Sequence, residues 1–118
     1  MLNMIEGLWT VKFISNIAIV GAGVIVVTAG GKVFGGDSQY TYIGSLDVVN
    51  DIVNAQVDAK VHTAIPGGQS IFGSLENFTL ILSGKLGARE MVLTGRIKDN
   101  PSATINIICT KVADLTGI

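Results

Sequence analysis

Apolar and polar residues alternate along most of this chain. The clearest stretch covers residues 52–62, where from residue 53 onward an apolar side chain stands at every second position and polar or charged ones stand between them. Residues two apart share one face of a strand, whereas on a helix they do not. The pattern therefore predicts an antiparallel strand with one buried face and one face in water. The apolar face consists of Val53, Ala55, Val57, Ala59 and Val61.

Seven further segments alternate in the same way or are rich in β-branched residues: 8–14, 18–28, 32–35, 39–46, 77–83, 91–97 and 103–112. Turn-forming residues separate several of them, at 30–31, 35–37, 84–87 and 99–101. Gly21 and Gly23 indicate a bulge or sharp bend within the second segment. Strands this close together leave no room for the crossovers of a parallel sheet. We therefore predict one all-β domain, residues 1–118 with a core over 7–115, folded as an eight-stranded antiparallel barrel of meander topology.

A barrel of eight strands is just wide enough inside for side chains or for one small ligand. The alternation places ten residues in the barrel interior, or around a candidate ligand cavity: Trp9, Val11, Phe13, Val53, Ala55, Val57, Ala59, Val61, Phe78 and Leu80. The small side chains of residues 52–62 would leave space for a ligand, unless larger residues opposite them fill it. Neither Arg89 nor Arg96 is an obvious interior anchor for a carboxylate.

The composition is apolar for a chain of 118 residues, with 48% hydrophobic and 14% charged residues, where roughly 25% charged is usual. An interior cavity, a subunit interface or a membrane must cover the surplus apolar surface. The longest apolar run, residues 17–29, is interrupted by Gly21 and Gly23 and is shorter than the roughly 20 residues of a spanning helix. We therefore expect a cytoplasmic protein that does not enter a membrane, and the apolar surplus supports association between subunits.

The sequence contains no pattern that specifies catalysis, a cofactor or a metal. His62 is the only histidine and Cys109 the only cysteine, so ligands at zinc spacing are lacking. Cys109 lies in an alternating apolar segment and is predicted to be a buried small hydrophobe. The net charge of −1 and the scattered basic residues argue against direct binding of nucleic acid. We expect neither an enzyme nor a cofactor, and we expect Asp37 to bond the backbone downstream of it in a turn.

Residues 63–75 do not follow the regular succession of short strands and turns. This segment is long for a hairpin loop and contains Ile71 and Phe72. Apolar residues in a loop usually bury something, so we predict a plug over one end of the barrel. A functional loop is the alternative, because connections of about this length often have a function.

Several landmarks follow one another in a characteristic order. They are Gly7-Leu8-Trp9 with Val11 and Phe13, then Gly21 and Gly23-Val24, then Gly35-Gly36-Asp37-Ser38 with Tyr40, Tyr42 and Gly44, then Val57, Ala59, Val61 and His62, and then Phe78, Leu80, Leu82 and Gly84. This order resembles the GrlR-like family of negative regulators, known from type III secretion in bacteria. The most specific part of the resemblance is the Gly-Gly-Asp turn with the alternating tyrosines that follow it.

The resemblance implies a calycin-like (lipocalin-like) barrel that forms a homodimer and binds a transcriptional activator. In that family an acidic run in a strand-connecting loop contacts the activator, and the loop corresponds to residues 45–51 of this chain. Here only Asp47 and Asp51 are acidic, and Val48 and Val49 interrupt the run. The candidate partner contacts are therefore Asp47, Asn50 and Asp51. Two functions remain open, a regulatory protein that binds a protein partner and a carrier of a small apolar ligand in the barrel interior.

Overall fold

The computed structural model describes residues 5–15, 19–63 and 77–115. They form eight strands: β1 (Gly7–Ser15), β2 (Ile19–Val27), β3 (Lys32–Gly36), β4 (Tyr40–Val49), β5 (Ile52–Val61), β6 (Asn77–Leu86), β7 (Glu90–Ile97) and β8 (Asn100–Ala113). Each strand pairs antiparallel with the next one in sequence, and β8 pairs with β1. The predicted eight-stranded antiparallel barrel of meander topology is confirmed. None of the described residues belongs to a helix that is long and apolar enough to cross a membrane.

The alternation of side chains separates a buried interior from an outer face in water. Along β5 every second residue from Val53 to Ala59 is buried, and the residues between them are exposed. The barrel is closed, because β8 pairs with β1 and completes the ring of strands. Burial of the inner faces of all eight strands produces one hydrophobic core.

The turn between β4 and β5 is shorter than the sequence suggests. The family resemblance places a loop at residues 45–51, but β4 continues to Val49 and only Asn50 and Asp51 form the turn. The prediction of a loop there is wrong, because Leu46 and Val48 continue the alternation and pack against the core. Asn50 and Asp51 have φ values of 52° and 65°, the left-handed backbone that both centres of a two-residue hairpin turn require.

Three other predicted turns are also partly wrong. Strand β3 runs on to Gly36, so that only Asp37 of the turn predicted at residues 35–37 lies outside the strand. Strand β6 runs on to Leu86, so that Gly84 lies within the strand and the turn follows it. Strand β8 begins at Asn100, which leaves Lys98 and Asp99 for the turn. The pairing of β7 with β8 shifts register between Arg96 and Ile97. A bulged strand start of this kind tolerates a proline, which a regular ladder does not.

Two glycines that face the barrel interior allow neighbouring strands to approach closely. Gly84 on β6 lies opposite Leu93, and Gly95 on β7 lies opposite Leu82. A Cβ atom on Gly84 would overlap a backbone carbonyl of the facing strand, and so would one on Gly95. Glycine at such positions permits the strong coiling that closure of a small barrel needs.

The bulge predicted near Gly21 and Gly23 is present in β2. Phe13 pairs with Gly21, whereas the next residue, Ile14, pairs with Ile19, so the register shifts at this point. The φ of Gly21 is 124°, a conformation that other residues rarely adopt. The predicted plug, with Ile71 and Phe72, falls on residues 64–76, which lie outside the described part of the chain.

Candidate functional site

The ten residues predicted for the interior all point inward. Nine of them are buried, and the tenth, Val61, is half-buried at the end of β5 and packs against the core. Aromatic rings contribute much of the packing near the end where β4 begins. The rings of Phe13 and Tyr42 lie 5.5 Å apart between centroids, and those of Tyr40 and Phe78 lie 5.6 Å apart.

A small apolar cavity remains in the middle of the barrel, with a volume of about 40 Å³. Five of the ten predicted interior residues line it: Val11, Phe13, Ala55, Val57 and Leu80. Larger side chains on the facing strands, among them Met91, Leu93 and Ile107, fill the space that the small residues of β5 leave. A dry cavity of about 150 Å³ admits benzene, and drug-sized ligands occupy roughly 300 Å³ or more. A bound apolar ligand would therefore have to displace core side chains.

The Cys109 thiol lies on the wall of this cavity and is 1% exposed. Burial raises the pKa of the thiol to about 12, because an apolar environment disfavours the thiolate. The predicted role of Cys109 as a buried small hydrophobe agrees with this placement.

We expect the native thiol of Cys109 to be nearly inert toward disulfide reagents at about pH 8, since the thiolate is the reacting form. A colorimetric thiol assay should give a rate at least about 100-fold lower for the folded protein than for the chain unfolded in denaturant. The unfolded chain provides the control, because Cys109 is its only cysteine. Equal rates in the two states would contradict the burial of the thiol.

A buried lysine occupies the end of the barrel where β1 begins. The ammonium group of Lys111 lies 5.7 Å from the centroid of the Trp9 ring and 2.5 Å from a carboxylate oxygen of Asp114. The hydrogen bond from Lys111 and its charge lower the pKa of the Asp114 carboxyl. The indole Nε1–H of Trp9 donates to the carbonyl oxygen of Ile5 at 2.8 Å. The Asp114 carboxylate and the face of the Trp9 ring thus compensate the charge of the buried Lys111 ammonium, as a buried cation requires.

Lys111 was missed as an interior residue, although the sequence contains the signal. Ile105, Ile107, Cys109 and Lys111 stand at every second position of β8, and all four are buried. The two arginines considered as interior anchors, Arg89 and Arg96, are both exposed. The only buried charged residue in the described part of the chain is therefore this lysine.

A hydrogen-bonded turn lies at the opposite end of the barrel. One carboxylate oxygen of Asp37 accepts hydrogen bonds from the backbone N–H groups of Gln39, at 2.8 Å, and Tyr40, at 2.7 Å. The predicted turn at Asp37 is thus confirmed. The Tyr42 hydroxyl donates to the other oxygen. Burial, then this bond and the charge of Asp37, raise the pKa of Tyr42 far above its usual range, so the hydroxyl remains the donor.

His62 follows β5 directly and is exposed, as predicted. Its Nδ1 lies 2.7 Å from the Thr63 hydroxyl, and its Nε2 lies 2.9 Å from the carbonyl oxygen of Asp37. A hydroxyl beside an oriented imidazole is one element of nucleophilic catalysis, but here both side chains are open to water. Within the described ranges no three His, Cys, Asp or Glu side chains converge as metal ligands would. These contacts connect the β3–β4 turn to the end of β5.

The candidate partner contacts lie around the β4–β5 turn. Asp47 is exposed near the end of β4, and Asn50 and Asp51 form the turn itself. The carbonyl oxygen of Asp51 accepts a hydrogen bond from the backbone N–H of Leu86 at 2.8 Å, which ties the turn to β6. Two apolar side chains flank the turn on the outer face, Val49 at 58% exposed and Ile52 at 44% exposed. These five residues are called the turn surface below: Asp47, Val49, Asn50, Asp51 and Ile52.

An open groove lies on the outside of the barrel beside the turn surface. Its volume is about 350 Å³, and Ser45, Asp47, Asn54, Gln56 and Ile81 are among the residues that line it. Most of these side chains are polar and exposed, so the groove can exchange hydrogen bonds with a bound chain. The sequence predicted the polar residues of the turn surface as partner contacts, but it did not predict that Val49 and Ile52 belong to the same surface.

Comparison of the chain with known proteins gives no family assignment. No model of a protein family matches the sequence, and a search of curated proteins finds no significant match. The resemblance to the GrlR-like regulators therefore rests on the residues given above.

Proposed function

We propose that this protein is a GrlR-like regulatory barrel, not an enzyme, and that it binds a protein partner through the turn surface. The observation that carries the proposal is the exposure of Val49 and Ile52 next to Asp47 and Asp51. Protein interfaces commonly combine an apolar centre with a polar rim. A transcriptional activator is the class of partner that the resemblance suggests, and the bacterial cytoplasm is the compartment in which the two would meet.

The shape of the turn surface also favours recognition of a partner. A two-residue turn whose two centres both have positive φ is rigid, and here its backbone is bonded to β6 as well. A rigid surface loses little conformational entropy on binding. Asp47 and Asp51 would favour a partner surface with basic residues, through complementary charge.

The filled interior supports this proposal over a carrier function. A carrier needs a preformed space for its ligand, and the cavity of about 40 Å³ would hold little more than a water-sized group. Carriage of an apolar ligand remains the alternative. Native mass spectrometry separates the two functions, because a carried ligand adds a mass that denaturation releases.

The proposal predicts that Val49→Ser combined with Ile52→Ser weakens the complex with the regulator at least about tenfold. The tagged barrel is used to capture proteins from a lysate of its bacterial host, and the captured transcription regulator is purified for titration calorimetry against both forms. Ile14→Ser, an exposed apolar residue on the distant end of β1, is the matched control and should leave the affinity unchanged. Equal loss from Ile14→Ser, or recovery of no transcription regulator, would contradict the proposal.

A further inference from the structure

The cavity in the middle of the barrel is bounded by every strand of the fold. Its volume is about 40 Å³, and each of the eight strands contributes at least one side chain to its wall. The strands form a closed ring, so no single strand can move inward to fill the space without breaking its pairing with its neighbours. Protein interiors contain few voids larger than a water molecule. The cavity is therefore an unusual and fixed feature of this barrel.

The wall of the cavity is apolar, so a water molecule would have too few partners there. A buried water needs several polar groups to bond with. Among the described residues on the wall, only Tyr42 and Cys109 carry a hydroxyl or a thiol. The Tyr42 hydroxyl already donates to Asp37, and a thiol is a weak hydrogen-bonding group. Apolar cavities of this kind stay dry and accept apolar guests.

The volume of the cavity restricts the guest to a very small molecule. A dry cavity of about 150 Å³ admits benzene. This cavity has roughly a quarter of that volume, which is room for about two heavy atoms. The molecules that combine this size with no charge and low polarity are the dissolved diatomic gases, such as dioxygen. The ligands that carrier barrels hold are much larger.

Two sulfur-containing side chains lie next to each other on the wall of the cavity. Met91 on β7 and Cys109 on β8 are direct partners in the ladder, and both are buried. Sulfur is polarisable, and atoms that face a void lack van der Waals partners on that side. A guest in the cavity would supply those missing contacts. This gain in dispersion energy is the source of affinity for a molecule that forms no hydrogen bonds.

We propose that the cavity is a binding site for a dissolved diatomic gas, with dioxygen as the representative guest. The affinity per atom that the smallest ligands reach limits a guest of about two heavy atoms to a dissociation constant of roughly 6 mM or weaker. Occupancy would therefore follow the concentration of the dissolved gas without reaching saturation. The inference does not rest on the proposed function, because the cavity lies inside the barrel and the turn surface lies outside it.

Xenon is the probe for the cavity, because it is apolar, chemically inert and similar in size to a diatomic gas. Methyl resonances of the purified full chain are recorded by NMR over a series of xenon pressures. The methyl groups of Val11, Val57 and Leu80, which line the cavity, should shift along a saturating curve. Those of Val49 and Ile52 on the outer face should shift weakly and in proportion to the pressure.

Val57→Ile places one more methylene group in the cavity and should weaken xenon binding at least about tenfold. Because the added carbon enters empty space, the urea midpoint of this variant should not fall below that of the wild type. Val53→Ile is the matched control, since it makes the same change at a buried position of β5 that does not line the cavity. It should bind xenon as the wild type does, at a urea midpoint lowered by overpacking. If Val57→Ile does not fold, Val11→Ile fills the cavity from β1 and gives the same comparison.

Dioxygen itself is tested on the same sample, because it is paramagnetic and speeds the relaxation of nearby methyl protons. The enhancement at Val57 and Leu80 should exceed that at Val53, and added xenon should reduce it. A wild type without saturating xenon shifts, or filling variants that bind xenon as tightly as the wild type, would overturn the proposal. Equal enhancement by dioxygen at Val57 and Val53 would overturn the assignment of the cavity to a diatomic gas.

Discussion

Replacing Gly95 with alanine is expected to lower the free energy of unfolding by about 3 kcal/mol. The new methyl group would overlap the carbonyl oxygen of Ile81 and crowd the backbone of Leu82 on the facing strand. Because the obstacles are backbone atoms, no change of rotamer can relieve the overlap. β6 and β7 must move apart, which stretches their ladder of hydrogen bonds and loosens the closure of the barrel. Urea unfolding followed by the fluorescence of Trp9, the only tryptophan, gives the change in stability.

Gly30→Ala is the matched control for Gly95→Ala. It makes the same chemical change in the β2–β3 turn, where the nearest atom to a new Cβ is the Thr28 hydroxyl oxygen at 4.0 Å. Its effect on stability should stay within about 0.5 kcal/mol. If the two alanine variants unfold at the same urea concentration, the close approach of β6 and β7 at Gly95 does not constrain the fold.

Replacing Trp9 with alanine is expected to cost about 4 kcal/mol of stability. The indole is fully buried, and its removal leaves a large void at the end of the barrel where β1 begins. The substitution also removes the donor to the Ile5 carbonyl and the aromatic face beneath the Lys111 ammonium. The lysine would lose the ring and keep its ion pair with Asp114. Thermal and urea unfolding followed by circular dichroism give the loss, since the variant has no tryptophan.

Trp9→Phe separates packing from hydrogen bonding at the same position. Phenylalanine keeps an aromatic face for Lys111 and much of the buried volume, but it has no N–H to donate. It should cost about 2 kcal/mol, intermediate between the wild type and Trp9→Ala. A double-mutant cycle that combines Trp9→Ala with Lys111→Met should show a coupling of about 1 kcal/mol from the cation and the ring. Strict additivity would show that the ammonium and the indole do not interact.

The strands could be predicted from the sequence because a closed barrel imposes the same pattern on each of them. One face of every strand is buried and the other is wet, so the alternation is uninterrupted from Val53 to Ala59. The turns were harder to locate because glycine has two uses in this fold. It forms a turn at residues 30–31, but at Gly84 it lies within a strand and admits the facing backbone. A sequence pattern alone does not distinguish the two uses.

The surfaces outside the barrel were the least predictable feature. Alternation identifies Val26, Phe34 and Ile43 as outward-facing, but it does not show that they are neighbours. Their adjacency depends on the register of β2 with β3 and of β3 with β4, and the turn lengths that set this register were uncertain. The same is true of Val49 and Ile52, which became a pair only because β4 continues to the turn. Lys111 was missed for a different reason. It continues the period-two series of buried residues on β8, but a charged side chain is not expected in a barrel interior.

The pairing of β1 with β8 has a consequence for how the chain folds. Leu8 and Ala113 are partners in the ladder, so the contact that closes the barrel joins segments separated by nearly the whole chain. Contacts at such sequence separations slow folding. During synthesis β8 is made last, and until it leaves the ribosome β1 and β7 are unpaired edges of an open sheet rich in apolar residues. We expect the nascent chain to be most prone to aggregation in that interval, and truncation before β8 to yield an insoluble protein.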